Sequence, residues 1–300
     1  PNLTITTDID FDHTEILGET IQKISREKAG IIKSGTPHLI GQLPTAAADI
    51  MSKTCQELSA PFHKLNRTEL KPNKKKMSLT FANNGFSFAE ISPALYGLHQ
   101  LSNTALVLKA TAIFRSNGLY VSKKAIKEGI RNTVWPGRFQ ILTAPGKPAI
   151  VLDVAHNPGG IRAFVEAFRL RFSEKKGLFI SGFVQKKNHQ GIFDKLSEIA
   201  AEYVLVPLRT KRSADAQKLL RKIDFRGVPA RRCGTLAGAF QYVTKKADSD
   251  DIICVVGSHY LVGEFLEKFG AKWAERPDKT KIPSQCQSPA KGLPKLRPTY

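Results

Sequence analysis

An apolar run, Ala149-Ile-Val-Leu-Asp153, ends in a carboxylate. Within five residues the chain passes through His156-Asn157-Pro158-Gly159-Gly160 into a stretch with helical apolar spacing: Ile161, Phe164, Val165, Phe168 and Leu170. Few folds accommodate that order. A short, continuously apolar strand feeding directly into a helix is the unit of an α/β sheet, whose strands are covered on both faces. The pattern recurs downstream, with strands predicted at 178–183, 203–206 and 252–256 and helices starting near Pro158, His189, Ser213 and Leu236. Such alternation implies a mostly parallel sheet with helices on both faces.

The 149–160 junction also carries chemistry. In an open α/β sheet, ligands bind where the carboxyl end of a strand meets a helix N-terminus. Free backbone N–H groups and the positive helix end favour an anion there. Trp135-Pro-Gly-Arg138-Phe139 lies just upstream. Asp153, His156 and Arg138 therefore offer an acceptor, a titratable donor and a fixed cation. Each has an ordinary reading in a strand–helix loop capped by Asn157 and turned by Pro-Gly, and for any single residue the two readings weigh equally. Three chemically different polar groups around one apolar strand favour a site.

Composition narrows the classes. Three hundred residues suggest about two domains, and 41% hydrophobic with 24% charged residues describes a globular chain. No apolar run approaches the roughly 20 residues of a membrane helix and no signal peptide opens the chain, so no membrane partner and a cytoplasmic location are expected. Cys55, Cys233, Cys254 and Cys286 are scattered without metal-ligand spacing and read as thiols in a reducing compartment. The net charge of +20 attracts polyanions. However, Lys74-Lys75-Lys76, Lys123-Lys124, Lys175-Lys176 and Lys186-Lys187 fall at turns and helix starts without the interleaved aromatics of a stacking platform, so nucleic acid is not the expected partner.

The chain divides near Trp135-Pro136-Gly137. Before that point the spacing predicts a strand at 3–7, a helix from Thr14 to about Lys28, a strand at 37–41 and a helix from Thr45 to Leu58. Alternation on both sides of Asn84-Gly85 predicts a hairpin. Helices follow from Leu98 to about Ser116, and from a Ser122 cap to Ile130. The stretch Asp8-Ile-Asp10-Phe-Asp12 with Glu19 partly matches a calcium loop, but His13 occupies the position that needs Gly, and too little chain precedes it for an entering helix. Read from the residues alone, His13 at the carboxyl end of a strand is more often a loop residue than a metal ligand, since Mg²⁺ prefers oxygen. Lys28 is either a solvated face residue or, before small apolar Ala29-Gly30-Ile31-Ile32, an amine turned inward at a helix end.

WPGRF followed by LDVAHNPGG resembles the start of the C-terminal domain of the folylpolyglutamate synthase/dihydrofolate synthase family, within the Mur ligase superfamily. The resemblance recurs in order: Asp12-His13-Thr14 with Leu17-Gly18, then Arg26-Glu27-Lys28-Ala29-Gly30-Ile31-Ile32-Lys33, Gly97-Leu-His-Gln100-Leu-Ser-Asn103, and Val256-Gly257-Ser258-His-Tyr-Leu-Val-Gly263-Glu264. It covers roughly residues 1–270. The family's phosphate loop, of the G-x-x-G-K-[ST] kind, has no counterpart in the sequence. The resemblance therefore implies a fragment, inactive by itself, that opens inside the central domain.

On that resemblance the expected fold is α/β. The C-terminal part of a Mur-ligase-type central ATPase domain (1–134) precedes a Rossmann-like, mostly parallel α/β domain (135–272) and a disordered tail (273–300). The implied activity is ATP-dependent joining of L-glutamate to a folate or dihydropteroate carboxylate through an acyl phosphate, in folate biosynthesis and one-carbon metabolism. Arg138, Asp153, His156, Gln100 and Asn103 would serve ATP, with Arg138, His156 and Lys28 catalytic. Ser258, Lys186 and Arg212 would bind substrate. His13 and a carbamylated Lys28 would hold Mg²⁺. The protein is expected to be a monomer. The alternative is a non-catalytic basic α/β module that binds nucleotide or RNA, which the charge and the missing phosphate loop favour.

Overall fold

In a computed structural model, the structure describes residues 1–9, 20–224 and 227–270. The chain forms two compact units. One comprises Pro1–Ile130, Ala155–Ser173 and Lys186–Glu198; the other comprises Arg131–Val154, Glu174–Gln185 and the chain from Ile199 on.

The first unit holds two small sheets. Strands β1 (Thr4–Thr6), β2 (His38–Ile40) and β3 (Phe62–Lys64) are parallel in the order β1-β2-β3. Helices α1 (Ile21–Ala29) and α2 (Thr45–Glu57) pack with this sheet around Ile24, Ile40, Ala47 and Met51. The described helix α1 is capped by Thr20, whose hydroxyl accepts from the Lys23 N–H; the expected Thr14 start lies outside the described residues. His38 is fully buried, with Nδ1 2.8 Å from Thr4 Oγ1 and Nε2 3.3 Å from Thr6 Oγ1. Burial pulls its pKa from 6.5 down to about 4.

The second sheet is antiparallel: β4 (Leu70–Asn73), β5 (Ser78–Asn83) and β6 (Phe86–Ile91). Asn84 and Gly85 both take positive φ, 43° and 75°, as the Asn-Gly hairpin signal requires. Helix α3 (Leu98–Ser116) covers this sheet with Leu101, Ala105, Leu108 and Ile113. One ion pair is built into that contact. Lys109 of α3 reaches Glu69 at 2.5 Å, both side chains nearly buried, and Glu69 also accepts from the Asn66 N–H and from Asn83. Helix α4 (Lys123–Arg131) follows, its start capped by Ser122 through the Ala125 N–H at 3.1 Å. Helices α5 (Pro158–Phe172) and α6 (His189–Leu196) also belong to this unit and pack together.

The second unit is the predicted sheet. Strands β7 (Gln140–Leu142), β8 (Ala149–Asp153), β9 (Gly177–Ser181), β10 (Ala200–Leu205), β11 (Ala230–Arg232) and β12 (Ile252–Val256) lie in the order β11-β10-β9-β12-β8-β7. All pairs are parallel except β7 with β8. The chain moves outward from β9 to β11 and then returns to insert β12 between β8 and β9. Ile150, Leu152, Ile180, Ile253 and Val255 on one sheet face meet α8 (Leu236–Lys246) and α9 (His259–Phe265) through Leu236, Phe240, Val243 and Phe265. The predicted helix after Ser213 is α7 (Ala216–Asp224).

At the opposite end of the strands from their carboxyl termini, buried Glu202 accepts from Arg231 at 2.8 Å, Tyr242 at 3.0 Å and Lys246 at 2.5 Å. Burial pushes its pKa up, yet the three donors outweigh that and hold it below the ordinary value.

Candidate functional site

The carboxyl ends of β8, β12, β9 and β10 form one edge of the second unit. Parallel pairing sets Asp153, Val256, Ser181 and Leu205 in a single row across it, so their side chains share one sheet face. Asp153 is 8% exposed, and its Oδ2 accepts the Phe139 N–H at 2.8 Å. That hydrogen bond fixes the loop opposite the strand end.

That loop is tightly made. Gly137 takes φ 75° and Phe139 takes φ 45°. A Cβ at Gly137 would stand 2.8 Å from Val154 and 3.0 Å from Val262, so no other residue fits. Gln140 Oε1 accepts the Gly137 N–H at 3.0 Å, and the Gly137 carbonyl accepts from Val154 N–H at 2.9 Å. Arg138 is half-buried between two left-handed residues. Backbone strain at a bulky, buried residue such as Phe139 costs about 1–3 kcal/mol and concentrates at functional sites. The sequence motif singled out Arg138; it gave no sign of the strained Phe139 or of Gln140 as the loop's acceptor.

After β8 the chain reaches half-buried His156 and then Asn157. Asn157 is the N-cap of α5, accepting the Gly160 N–H at 2.7 Å, with Pro158 in the first turn. The ordinary reading of Asn157 as a cap is thus correct. The cap and two glycines also leave a helix N-terminus without side-chain bulk, the arrangement that accommodates anions.

Ser258 follows β12 and is buried; its Oγ accepts the Leu261 N–H at 3.1 Å as the N-cap of α9. The hydroxyl's O–H remains available as a donor. Gly257 has φ 138°, and a Cβ there would meet the Gly182 carbonyl oxygen at 2.6 Å. The ends of β12 and β9 approach each other more closely than any side chain permits. Beyond β9, residues 183–185 are zipped to residues 212–214: Gln185 N–H donates to the Arg212 carbonyl at 2.7 Å, Ala214 N–H to the Phe183 carbonyl at 2.8 Å, and Gln185 Nε2 to the Ser213 carbonyl at 3.1 Å. This pairing places Arg212 on the carboxyl edge with an exposed side chain. Arg209 is committed elsewhere, to Glu264 at 3.1 Å. Lys186 is the next residue after the zipped segment; it is exposed and takes φ 57°.

In the first unit, Gln100 and Asn103 are brought together as their spacing predicts. Asn103 Nδ2 donates to Gln100 Oε1 at 3.1 Å, and Gln100 Nε2 lies 3.0 Å from His99 Nε2. Gly97, with φ 125°, starts the helix without a side-chain cap. Gln100 is buried and Asn103 faces outward.

The inward option for Lys28 is corrected. Its Cα shares the helix face of Ile21, Ile24 and Ser25, but in the last turn of α1 its long chain carries the amine into solvent. A cation there also favours the negative end of the helix. Ala29 and Ile32 fill the core instead. His13 lies outside the described residues. Among the described residues, no group of three or more His, Cys, Asp or Glu side chains is arranged to hold a metal ion.

Residues 137–259 match the family described as "Mur ligase, glutamate ligase domain". The strained Arg138 loop, β8, the capped α5 and the Gly257-Ser258 turn all fall inside that span. That span, less than half of the chain, is similar to a Mur ligase glutamate ligase domain.

The likeness extends well beyond that span. The dihydrofolate synthase/folylpolyglutamate synthase of Bacillus subtilis is 26% identical over 273 residues, which is 89% of this chain and 63% of the relative. Among solved structures, E. coli FolC in complex with DHPP and ADP superposes with a TM-score of 0.75 at 26% identity, over 90% of this chain and 62% of that one. The bifunctional folylpolyglutamate synthase/dihydrofolate synthase of Yersinia pestis, complexed with AMPPNP and Mn ion, gives 0.74 at 25% identity, again over 90% and 62%. The chain thus spans a little over three fifths of the length of each.

Proposed function

We propose that residues 137–259 form a glutamate ligase domain and that the chain serves an ATP-dependent ligase that joins L-glutamate to the carboxylate of a folate or dihydropteroate. The observation that carries the reading is the Phe139–Asp153 bond, which locks Arg138 beside the carboxyl end of β8 just before a capped, glycine-opened helix. The names of the relatives and the ADP, DHPP and AMPPNP bound by the similar structures support it.

In this reading Arg138 neutralises charge that spreads over the transferring phosphoryl group. Asp153 holds the loop that presents Arg138, and accepts from the ribose or orients His156. Gln100 and Asn103 offer amides to the adenine or ribose edge. Ser258, Lys186 and Arg212 receive the carboxylates of the incoming glutamate. The acyl phosphate formed from the folate carboxylate is then attacked by the glutamate amine, with positioning as the main source of rate.

For Mg²⁺ the fit is partial. An exposed lysine ammonium repels a dication, whereas its carbamate would supply an oxygen ligand of the kind Mg²⁺ prefers; His13 with carbamylated Lys28 remains the proposed pair. The division at 135, a cytoplasmic location and a monomeric state belong to the same reading.

Glutamate-dependent ADP release by the complete protein, with folate and dihydropteroate offered separately, tests the activity. Arg138→Ala and His156→Ala are expected to lower turnover by on the order of a hundredfold or more while the fold is kept. Wild-type turnover in both, at saturating and limiting ATP, would overturn the assignment. The basic-module alternative predicts binding without turnover and with a steep salt dependence.

A further inference from the structure

Helix α3 ends and α4 begins within six residues, and the connection is held at both sides. Asn117 N–H donates to the Ile113 and Phe114 carbonyls, Gly118 N–H to Arg115 and Leu119 N–H to Phe114 at 2.9 Å; Ser122 then caps α4. Gly118, at φ 82°, makes the reversal. Between these caps, three consecutive apolar side chains point into water. Leu119 is 49% exposed, Tyr120 74% and Val121 38%. A chain free to choose would fold such residues inward; here both helix ends hold them out as a crest.

Cations surround the crest. The Arg115 guanidinium lies 4.8 Å from the Tyr120 ring centroid and 5.2 Å from that of Phe86, and Lys123 Nζ is 5.7 Å from Phe88. Lys124 and Lys127 are exposed on α4. The one acid in this stretch is Glu128, 3.9 Å from Lys124; Glu90 on β6 is taken by Lys76 at 2.7 Å. Folding therefore assembles what the linear sequence does not show: basic side chains laid against aromatic rings.

We propose that the 119–121 crest, with Arg115, Lys123, Lys124 and Lys127, is a peripheral docking surface for an anionic lipid bilayer. Three alternatives fit less well. A second copy of this chain would bring two strongly basic surfaces together. A single-stranded nucleic acid needs several open ring faces, yet Phe86 and Phe88 are only 6% and 2% exposed, which leaves Tyr120 alone. Bound peptides occupy a groove or a strand edge, whereas this is a projecting crest. A tyrosine with two aliphatic neighbours, ringed by lysines, suits the headgroup boundary, where the ring sits among headgroups and the amines meet lipid phosphates. None of the described helices is long and apolar enough to cross a membrane, and surface docking requires none.

Vesicle co-sedimentation of the intact chain tests this, with phosphatidylcholine vesicles compared with vesicles that also contain phosphatidylglycerol. Binding to the anionic vesicles is expected to be stronger by at least about tenfold and to fall as salt is raised. Leu119→Ser/Tyr120→Ser/Val121→Ser, which leaves the charge unchanged, and Lys123→Glu/Lys124→Glu should each lose most of it. Lys74→Glu/Lys75→Glu, an equal charge change on another loop, should lose far less. Thermal unfolding of each variant confirms that these exposed substitutions leave the fold intact. The proposal is overturned if the triple serine variant binds anionic vesicles like the wild type, or if both glutamate pairs weaken binding equally. It is also overturned if the chain ignores vesicles and binds an oligonucleotide through the same residues.

Discussion

Single residues decide much of this molecule's behaviour, and His38 is the most exposed to test. Its ring is buried between Thr4 and Thr6 and stays neutral down to a pKa of about 4. In the unfolded chain it protonates near 6.5. Unfolded protein therefore binds more protons between those values, and stability falls as pH drops from 6.5 to 4. The shift corresponds to a loss on the order of 3 kcal/mol. Urea unfolding across that window should show the decline in the wild type and a flatter profile in His38→Gln; an unchanged slope in the variant would assign the effect elsewhere. At the candidate site, the sequence announced Arg138, Asp153 and Asn157 because chemistry and capping use recognisable residue types. Phe139 was invisible, since nothing in a phenylalanine's identity declares a left-handed backbone. For Lys28 the residues left a solvated face and an inward amine both open; its exposure bears out the solvated reading, because a four-carbon stem in the last helical turn reaches water.

Elements were legible where local signals and burial agree. The hairpin around Asn84-Gly85, the helices from Thr45 and Leu98, and the strands at 149–153 and 252–256 lie as their patterns require. The strands missed by pattern, β3, β4, β7 and β11, sit at sheet edges and carry polar residues within them, as in Leu70-Lys-Pro-Asn73 and Ala230-Arg-Arg232, so no apolar run marks them. Two glycines show how local context grades a substitution. A Cβ on Gly85 meets nothing within 4 Å, so Gly85→Ala should cost only its backbone strain, about 1 kcal/mol. Gly257→Ala would drive a methyl into the Gly182 carbonyl oxygen and should cost several times more; equal melting shifts would contradict this. Between elements, the Lys109–Glu69 pair fastens α3 to the antiparallel sheet. Lys109→Met strands a buried carboxylate and should destabilise by about 3 kcal/mol. Adding Glu69→Gln should return part of that loss, and denaturation of the single and double variants measures the coupling.

At the scale of the whole molecule, the two compact units are interleaved in sequence. The chain passes from one to the other at 130/131, 154/155, 173/174, 185/186 and 198/199. A cut at the sequence-apparent boundary near Trp135 would leave the first unit without α5 and α6, a dependence that no composition shift or linker signals. A chain ending at Arg131 is therefore expected to unfold at a lower urea concentration, and with a smaller denaturant dependence, than the first unit of the intact protein. A matching midpoint would show those helices to be dispensable. Interleaving also has a consequence during synthesis. The ribosome completes Ile130 well before it delivers Glu198, and at about 5–20 residues per second the 68 intervening residues take roughly 3–14 s. For those seconds the nascent first unit lacks two of its own helices, so it is in translation, more than in the finished protein, that this chain should be most vulnerable to aggregation and most dependent on chaperones.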